Sequence, residues 1–105
     1  MHVISKQALK DFWAAHPASQ EPLEVWYKIV KSTDYADFMA LRQTFPSADQ
    51  AAPYTIFDIG GNKWRVIAVL HYDRGKLYIR HVFTHADYDS WCKVNRSRKQ
   101  RRKQQ

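Results

Sequence analysis

The sequence of 105 residues predicts one domain of the α+β class, with a small, mostly antiparallel sheet and helices packed on one face. Two patterns predict this class. Apolar residues recur at helical spacing through the first 45 residues, and from Tyr54 onwards they alternate with polar residues at strand spacing. A third observation is the aromatic content (Trp 4, Tyr 6, Phe 5), which indicates that so short a chain can bury a substantial core.

The first half of the chain predicts one strand and three helices. Ser5 is a favourable N-cap residue and Pro17 is a helix breaker, so a helix is expected between them. Pro22 suits the first turn of a second helix. The predicted elements are a strand at His2–Ile4 and helices at Lys6–Ala15, Glu21–Lys31 and Tyr35–Thr44.

The second half predicts three strands and a last short helix. Gly60-Gly61-Asn62 and Asp73-Arg74-Gly75 have the composition of hairpin turns. The predicted strands are Tyr54–Ile59, Lys63–Tyr72 and Lys76–Phe83, and the predicted helix is Ala86–Lys93.

Burial of one strand face predicts the register of the hairpins, because a slip of one residue would turn the apolar side chains outward. The predicted core pairs are Val66 with Phe83, Leu70 with Ile79, and Phe57 with Trp64. On the other face this register puts Asp58 opposite Lys63, and Arg65 between Ile56 and Thr84.

Four side chains gathered at one end of the sheet suit metal-independent cleavage of RNA. Lys63 and Arg65 are cations that can stabilise the charge on a phosphorane. His85 titrates near neutral pH, and Tyr88 can exchange a proton if cations lower its pKa. We expect attack by the 2′-hydroxyl and products with a 2′,3′-cyclic phosphate and a 5′-hydroxyl, with the acid and base roles of His85 and Tyr88 left open.

Each of these residues also has a plainer interpretation. Lys63 and Asp58 can form an ordinary cross-strand ion pair, and Arg65 can be structural. His85 can cap the last helix, and Tyr88 can belong to the core. The convergence of the four residues, rather than any one of them, supports the catalytic interpretation.

The net charge of +7 lies entirely in the C-terminal tail. Residues 1–92 hold ten basic and ten acidic side chains, whereas residues 93–105 hold seven basic and none acidic. The sequence therefore predicts a domain at 1–92 and a basic, flexible tail at 93–105 that attracts nucleic acid or the ribosome. The predicted RNA-binding residues are Tyr78 and Arg80 on the sheet and Arg96, Arg98, Lys99, Arg101 and Arg102 in the tail.

Cysteine and histidine usage predicts neither a metal site nor any other cofactor. Cys92 is the single cysteine, which excludes an internal disulfide and a CxxC zinc site and fits a reducing cytoplasm. Lys6, Lys10 and Asp11 follow the first residues closely, so no signal peptide is expected. The longest apolar run, Val66–Leu70, is too short to span a bilayer, so no membrane partner is expected.

Four segments of the sequence resemble the signature of HigB-type toxins of the RelE-like superfamily, and the resemblance covers residues 1 to about 91. Asp58 stands where the family more often has Asn, which puts a carboxylate near the cationic site. The basic tail is longer than the signature requires. The segments that carry the resemblance are Phe45–Asp49, Phe57–Arg65, Tyr78–Val82 and Thr84–Asp89.

The resemblance implies a RelE-like fold and the toxin of a type II toxin–antitoxin module. It implies an mRNA interferase that cuts mRNA in the ribosomal A site and is neutralised by a cognate antitoxin, usually a helix-turn-helix protein. Contact with operator DNA would come only through the complex with that antitoxin. Lys63, Arg65, His85 and Tyr88 match the family's basic and proton-transferring positions. Two alternatives stay open from the residues: a module that binds RNA or the ribosome without cutting, and a protein that only docks an acidic partner.

Overall fold

The computed structural model describes the backbone of residues 1–104 and the side chains of residues 1–94, and it confirms the α+β class. A short 3-10 helix, Pro17–Ser19, precedes the second α-helix. Within the described residues no helix combines the length and apolar character needed to cross a membrane. The elements are β1 (His2–Ile4), α1 (Lys6–Ala15), α2 (Gln20–Lys31), α3 (Phe38–Thr44), β2 (Asp49–Ala51), β3 (Tyr54–Ile59), β4 (Trp64–His71), β5 (Lys76–Thr84) and α4 (His85–Gln104).

Most element bounds match the sequence prediction, with differences at α3, β2 and α4. Helix α3 begins at Phe38 instead of Tyr35, because the Asp37 carboxylate caps it by accepting from the Ala40 amide at 2.9 Å. Strand β2 falls in a segment predicted as a connector, and it pairs antiparallel with β3. Helix α4 begins directly at His85 and runs past the predicted end.

The five strands form one sheet in the order β1-β5-β4-β3-β2. Strand β1 lies parallel to β5, and the other neighbours are antiparallel. The centre of the sheet is therefore the β3-β4-β5 meander that carries the predicted site residues.

The predicted register of both hairpins is wrong, although β3 and β4 keep their predicted faces. Four turn residues, 60–63, separate β3 from β4, so Phe57 pairs with Val66 and Asp58 with Arg65. In the second hairpin the pairs change from Ala68–Ile79 to Ile67–His81. Arg80 is thus the extra residue of a β-bulge, and the bulge reverses the faces of the β5 residues that follow it. The observed pairs that replace the predicted ones are Val66 with Val82 and Leu70 with Leu77.

The prediction that Phe83 belongs to the core is wrong, because the bulge turns Phe83 to the other face of the sheet. Val82 takes the core position beside Val66, while Phe83 lies opposite Arg65 on the other face of the sheet. There Phe83 stacks with His81 at 4.9 Å between ring centroids, and Trp91 of α4 lies 6.1 Å from Phe83.

Helices α1, α2 and α3 cover one face of the sheet, which we call the core face. Its fully buried side chains include Leu9, Leu23, Leu41, Phe57 and Val66. The opposite face, which we call the second face, carries α4 through ring contacts of Trp91. This cover buries Ile56, Ile67 and Arg65 on the second face.

Phe57→Ala tests the packing of the core face. The Phe57 ring is 1% exposed and makes edge contacts with Trp26 at 5.2 Å and Phe45 at 5.3 Å. Its removal leaves a cavity, so we expect the free energy of unfolding to fall by about 3–5 kcal/mol in urea denaturation. The control Met39→Ala, at a side chain 77% exposed, should stay within about 0.5 kcal/mol of the wild type. Equal losses for the two variants would contradict this packing.

Candidate active site

Three of the predicted catalytic residues, Arg65, His85 and Tyr88, lie close together where β4 begins and β5 ends. The fourth, Lys63, lies in the turn that leads into β4. Residues 60–63 form the turn into β4, and α4 starts immediately after β5. The Thr84 hydroxyl accepts from the Asp87 amide at 3.2 Å and so caps the start of α4. Because His85 is the first residue of α4, this cap fixes its position beside the turn.

Arg65 is buried among polar partners and is only 6% exposed. Its Nε lies 2.9 Å from Asp58 Oδ1, across the β3–β4 pair. One terminal nitrogen donates to the Asn62 and Trp64 carbonyl oxygens at 3.0 and 3.1 Å, and the other donates to Asn62 Oδ1 at 2.7 Å. Asp58 neutralises the guanidinium, so Arg65 is anchored rather than presented to solvent.

Asn62 connects Arg65 to His85, and sequence reasoning treated it only as a turn residue. Its side-chain and main-chain oxygens both accept from Arg65, and its main-chain oxygen also lies 3.4 Å from His85 Nδ1. Asn62 has a φ of 145°, a conformation rare for residues with a side chain. The usable signal was an Asn following two glycines, since Asn tolerates positive φ better than most residues.

His85 is exposed and held from two sides. Its Nε2 lies 3.3 Å from Asp89 Oδ2, one helical turn further along α4, and its Nδ1 faces the Asn62 carbonyl. Asp89 and the Asn62 carbonyl oxygen therefore face opposite nitrogens of the imidazole. The His85 side chain is 53% exposed, so it is accessible to a substrate.

Tyr88 lies against Arg65 and is half-buried. The Arg65 guanidinium carbon is 5.1 Å from the centre of the Tyr88 ring. Burial raises the pKa of the Tyr88 phenol well above its usual value, and Cys92 and Asp49 raise the pKa further. Arg65 lowers the pKa by less than burial raises it, so the pKa is raised overall and Tyr88 keeps its proton at neutral pH.

Lys63 lies in the turn next to Asn62 and is exposed. The predicted ion pair between Lys63 and Asp58 is absent, because Asp58 pairs with Arg65 instead. Within the described part of the chain, no hydrogen bond or ion pair engages the Lys63 amine. Lys63 is therefore available to an anion.

Arg80 and Tyr78 lie on β5, away from the turn. The Arg80 guanidinium carbon is 5.7 Å from the centre of the Tyr78 ring, and Tyr78 contacts His71 edge-on at 5.3 Å. Arg80 is exposed at the bulge, and Tyr78 pairs with Val69 of β4. The predicted RNA-binding side chains Arg96, Arg98, Lys99, Arg101 and Arg102 lie outside the described residues.

Among the side chains that the structure describes, no group of three or more His, Cys, Asp or Glu residues has the geometry of a metal site. The chemistry available at the turn is therefore that of an exposed lysine, an oriented histidine, a neutral phenol and an anchored arginine.

A five-stranded, mostly antiparallel sheet with four helices is consistent with the fold of RelE-like toxins. In agreement, the family model described as the RelE-like toxic component of a toxin-antitoxin system matches residues 19–91. The chain belongs to this HigB toxin family. It is 29% identical over 103 residues to the mRNA interferase HigB of Escherichia coli O6:H1, with 95% of this chain and 100% of that protein covered. It is 32% identical over 101 residues to the mRNA interferase toxin HigB of Escherichia coli K12, with 93% and 97% covered.

The raised pKa of Tyr88 predicts a pH dependence of stability at alkaline pH. The unfolded phenol ionises near pH 10, while the folded phenol ionises at a higher pH. The stability that Tyr88 contributes is therefore intact below about pH 10 and declines as the pH rises above it. We expect Tyr88→Phe to flatten this decline in denaturation experiments between about pH 9 and 11. A decline of the same steepness in Tyr88→Phe would contradict the assignment.

Proposed function

We propose that this protein is a toxin that cuts mRNA during translation, as an endoribonuclease without a metal. The observation that carries the proposal is the arrangement around the hydrogen-bonded pair Asn62 and Arg65. Lys63 is exposed in the same turn, His85 lies beside Asn62, and the protonated Tyr88 lies against Arg65. Its relatives in Escherichia coli are named mRNA interferases, which supports the same reaction class.

In the proposed mechanism, His85 and Tyr88 divide the proton transfers. In the substrate complex the 2′-hydroxyl takes the place of the Asn62 carbonyl oxygen at His85 Nδ1, a contact that is long at 3.4 Å in the free protein. Nδ1 then accepts the hydroxyl proton, while Nε2–H faces Asp89. Tyr88 retains its proton at neutral pH and so suits the acid that protonates the departing 5′-oxygen. The products are a 2′,3′-cyclic phosphate and a 5′-hydroxyl.

The two cations have different roles in this mechanism. Lys63 binds the phosphate oxygens, because it is an exposed cation that directly follows Asn62, and the Asn62 carbonyl oxygen lies 3.4 Å from His85 Nδ1. Arg65 already makes polar contacts through Nε and both terminal nitrogens. We therefore assign Arg65 mainly to positioning the turn and supporting the Tyr88 ring.

The RNA on either side of the cleavage point follows the exposed basic surface. Arg80 with Tyr78 offers a cation and an aromatic ring to neighbouring nucleotides, and the basic tail at 93–105 adds salt-sensitive attraction. The proposed substrate is mRNA in the ribosomal A site, in the cytoplasm. The proposed partner is a helix-turn-helix antitoxin, and operator DNA is contacted only within their complex.

Primer extension on a reporter mRNA tests the proposal. The protein is induced in a bacterium, and RNA is compared with and without translation of the reporter. We expect growth arrest and sharp cleavages within codons that depend on translation. Intact mRNA together with normal growth would contradict the toxin function, and equal cutting of naked RNA would contradict its dependence on the ribosome.

Substitutions at the turn separate a nuclease from a binding module. We expect His85→Ala to lower the cleavage rate by about 10²–10⁴-fold while ribosome affinity changes little, because it removes a proton-transferring group. Lys63→Ala should also slow cleavage strongly. The matched control is Lys28→Ala, because Lys28 is an exposed lysine of α2, and α2 packs on the core face of the sheet. The Lys28→Ala variant should cut mRNA like the wild type.

The opposite pattern would support the alternative of a non-catalytic RNA- or ribosome-binding module. In that case His85→Ala and Lys63→Ala would weaken ribosome binding in parallel, and no variant would change the ends of the mRNA. Ligation of adaptors specific for 5′-hydroxyl ends distinguishes the two patterns.

A further inference from the structure

An open groove of about 510 Å³ lies on the core side of the domain, between the outer face of α2 and the start of the β3–β4 turn. Its walls include Pro22 and Val25 of α2, Phe45 after α3, and Ile59 with Gly60 at the end of β3. The groove is wide open to solvent, so it would bury little of a small molecule but can receive a chain segment.

The groove exposes large apolar side chains that the fold itself does not use. Val25 is 53% exposed and Ile29 is 36% exposed, and they lie one helical turn apart on α2. Both line the groove. Apolar side chains clustered and exposed in this way are typical of a protein–protein contact.

Trp26 also lines the groove, and it is 3% exposed. Its ring contacts Phe57 of the core at 5.2 Å between centroids, so Trp26 connects the groove with the packing of the core face. A segment bound in the groove therefore changes the surroundings of the Trp26 ring.

The charges of the groove favour a protein segment over RNA. Its charged lining residues are Glu21, which is exposed, and Asp58, which pairs with Arg65. The lining therefore offers phosphate no cation, and the exposed Glu21 carboxylate complements lysine or arginine.

We propose that this groove binds an apolar segment of the antitoxin, flanked by a basic residue. The family to which the chain belongs comprises toxic components of toxin-antitoxin systems, so an antitoxin is the protein partner that the chain requires. The inference rests on the toxin part of the proposed function and does not depend on the cleavage mechanism. The groove lies with α2 on the core face, whereas α4 with His85 contacts the second face, so a segment bound here leaves His85 uncovered.

A segment in the groove also contacts two residues that hold the turn of the candidate active site, Asp58 and Gly60. Asp58 holds Arg65, and Gly60 begins the turn that contains Asn62. Gly60 has a φ of 63°, and a Cβ there would lie 3.0 Å from the Trp64 ring and 3.6 Å from Pro22. Pro22 of α2 is thus close to the turn, so a segment bound in the groove can act on the position of the turn.

Val25→Asp and Ile29→Asp test the docking site directly. Each places a carboxylate in an apolar contact, and each side chain is exposed enough to be replaced without loss of the fold. With the purified cognate antitoxin as the probe, we expect either substitution to weaken binding about tenfold or more. The matched control is Met39→Asp, an exposed apolar residue outside the groove, which should bind like the wild type.

A second measurement uses the Trp26 indole, which needs no substitution in the tested protein. The indole ¹⁵N–¹H signal of Trp26, assigned with Trp26→Phe, should shift when the antitoxin is added. An unchanged Trp26 signal at saturation, or unchanged affinity of Val25→Asp and Ile29→Asp, would overturn the proposal. Self-association abolished by Val25→Asp, with antitoxin binding intact, would overturn it in favour of a second copy of this chain.

Cleavage assays without antitoxin keep the two proposals separable. Val25→Asp and Ile29→Asp should cut mRNA like the wild type, and their toxicity should no longer be relieved by co-expressed antitoxin. If none of the proteins cuts mRNA, the proposed nuclease function fails, while the affinity comparison still decides whether the groove is the docking site.

Discussion

The buried contact between Arg65 and Asp58 supports the whole candidate site. A charged guanidinium that is 6% exposed is costly unless an opposite charge and hydrogen-bond acceptors surround it. Asp58 supplies the charge at 2.9 Å, and Asn62 supplies both of its oxygens. The Arg65 contacts therefore fix the turn that ends next to His85, and Lys63 takes its position from the same turn.

The fold makes this arrangement possible by covering both faces of a small sheet. Helices α1–α3 bury the core face, and α4 folds back from the end of β5 onto the second face. Because α4 starts at the end of a strand, its first residue lies beside the neighbouring turn, while Tyr88 and Trp91 further along pack over β4 and β5. The same helix thus supplies the proposed base and acid and closes the second hydrophobic layer.

The sequence predicted the α+β class and most element bounds, because the apolar periods of 3.6 and 2 residues that mark helices and strands are local. It also put Arg65, His85 and Tyr88 near one another, although from a hairpin register that the structure does not have. It did not predict the bulge at Arg80, since a bulge depends on pairing between strands and no glycine or proline marks it. The apolar Ile56 and Ile67 on the presumed open face were the available signal that a helix covers it. The direction of the Tyr88 pKa shift could not be predicted from the sequence, because burial, a tertiary property, outweighs the nearby cation.

A double-mutant cycle on Asp58→Ala and Arg65→Met measures the central interaction most directly. The free energies of unfolding of both single variants and the double variant are compared with the wild type in urea. We expect each single variant to lose about 3–5 kcal/mol, and the double variant to lose clearly less than the sum, because a buried charge is no longer left unpaired. Losses that add within about 0.5 kcal/mol would show that the two side chains act independently and would contradict the account.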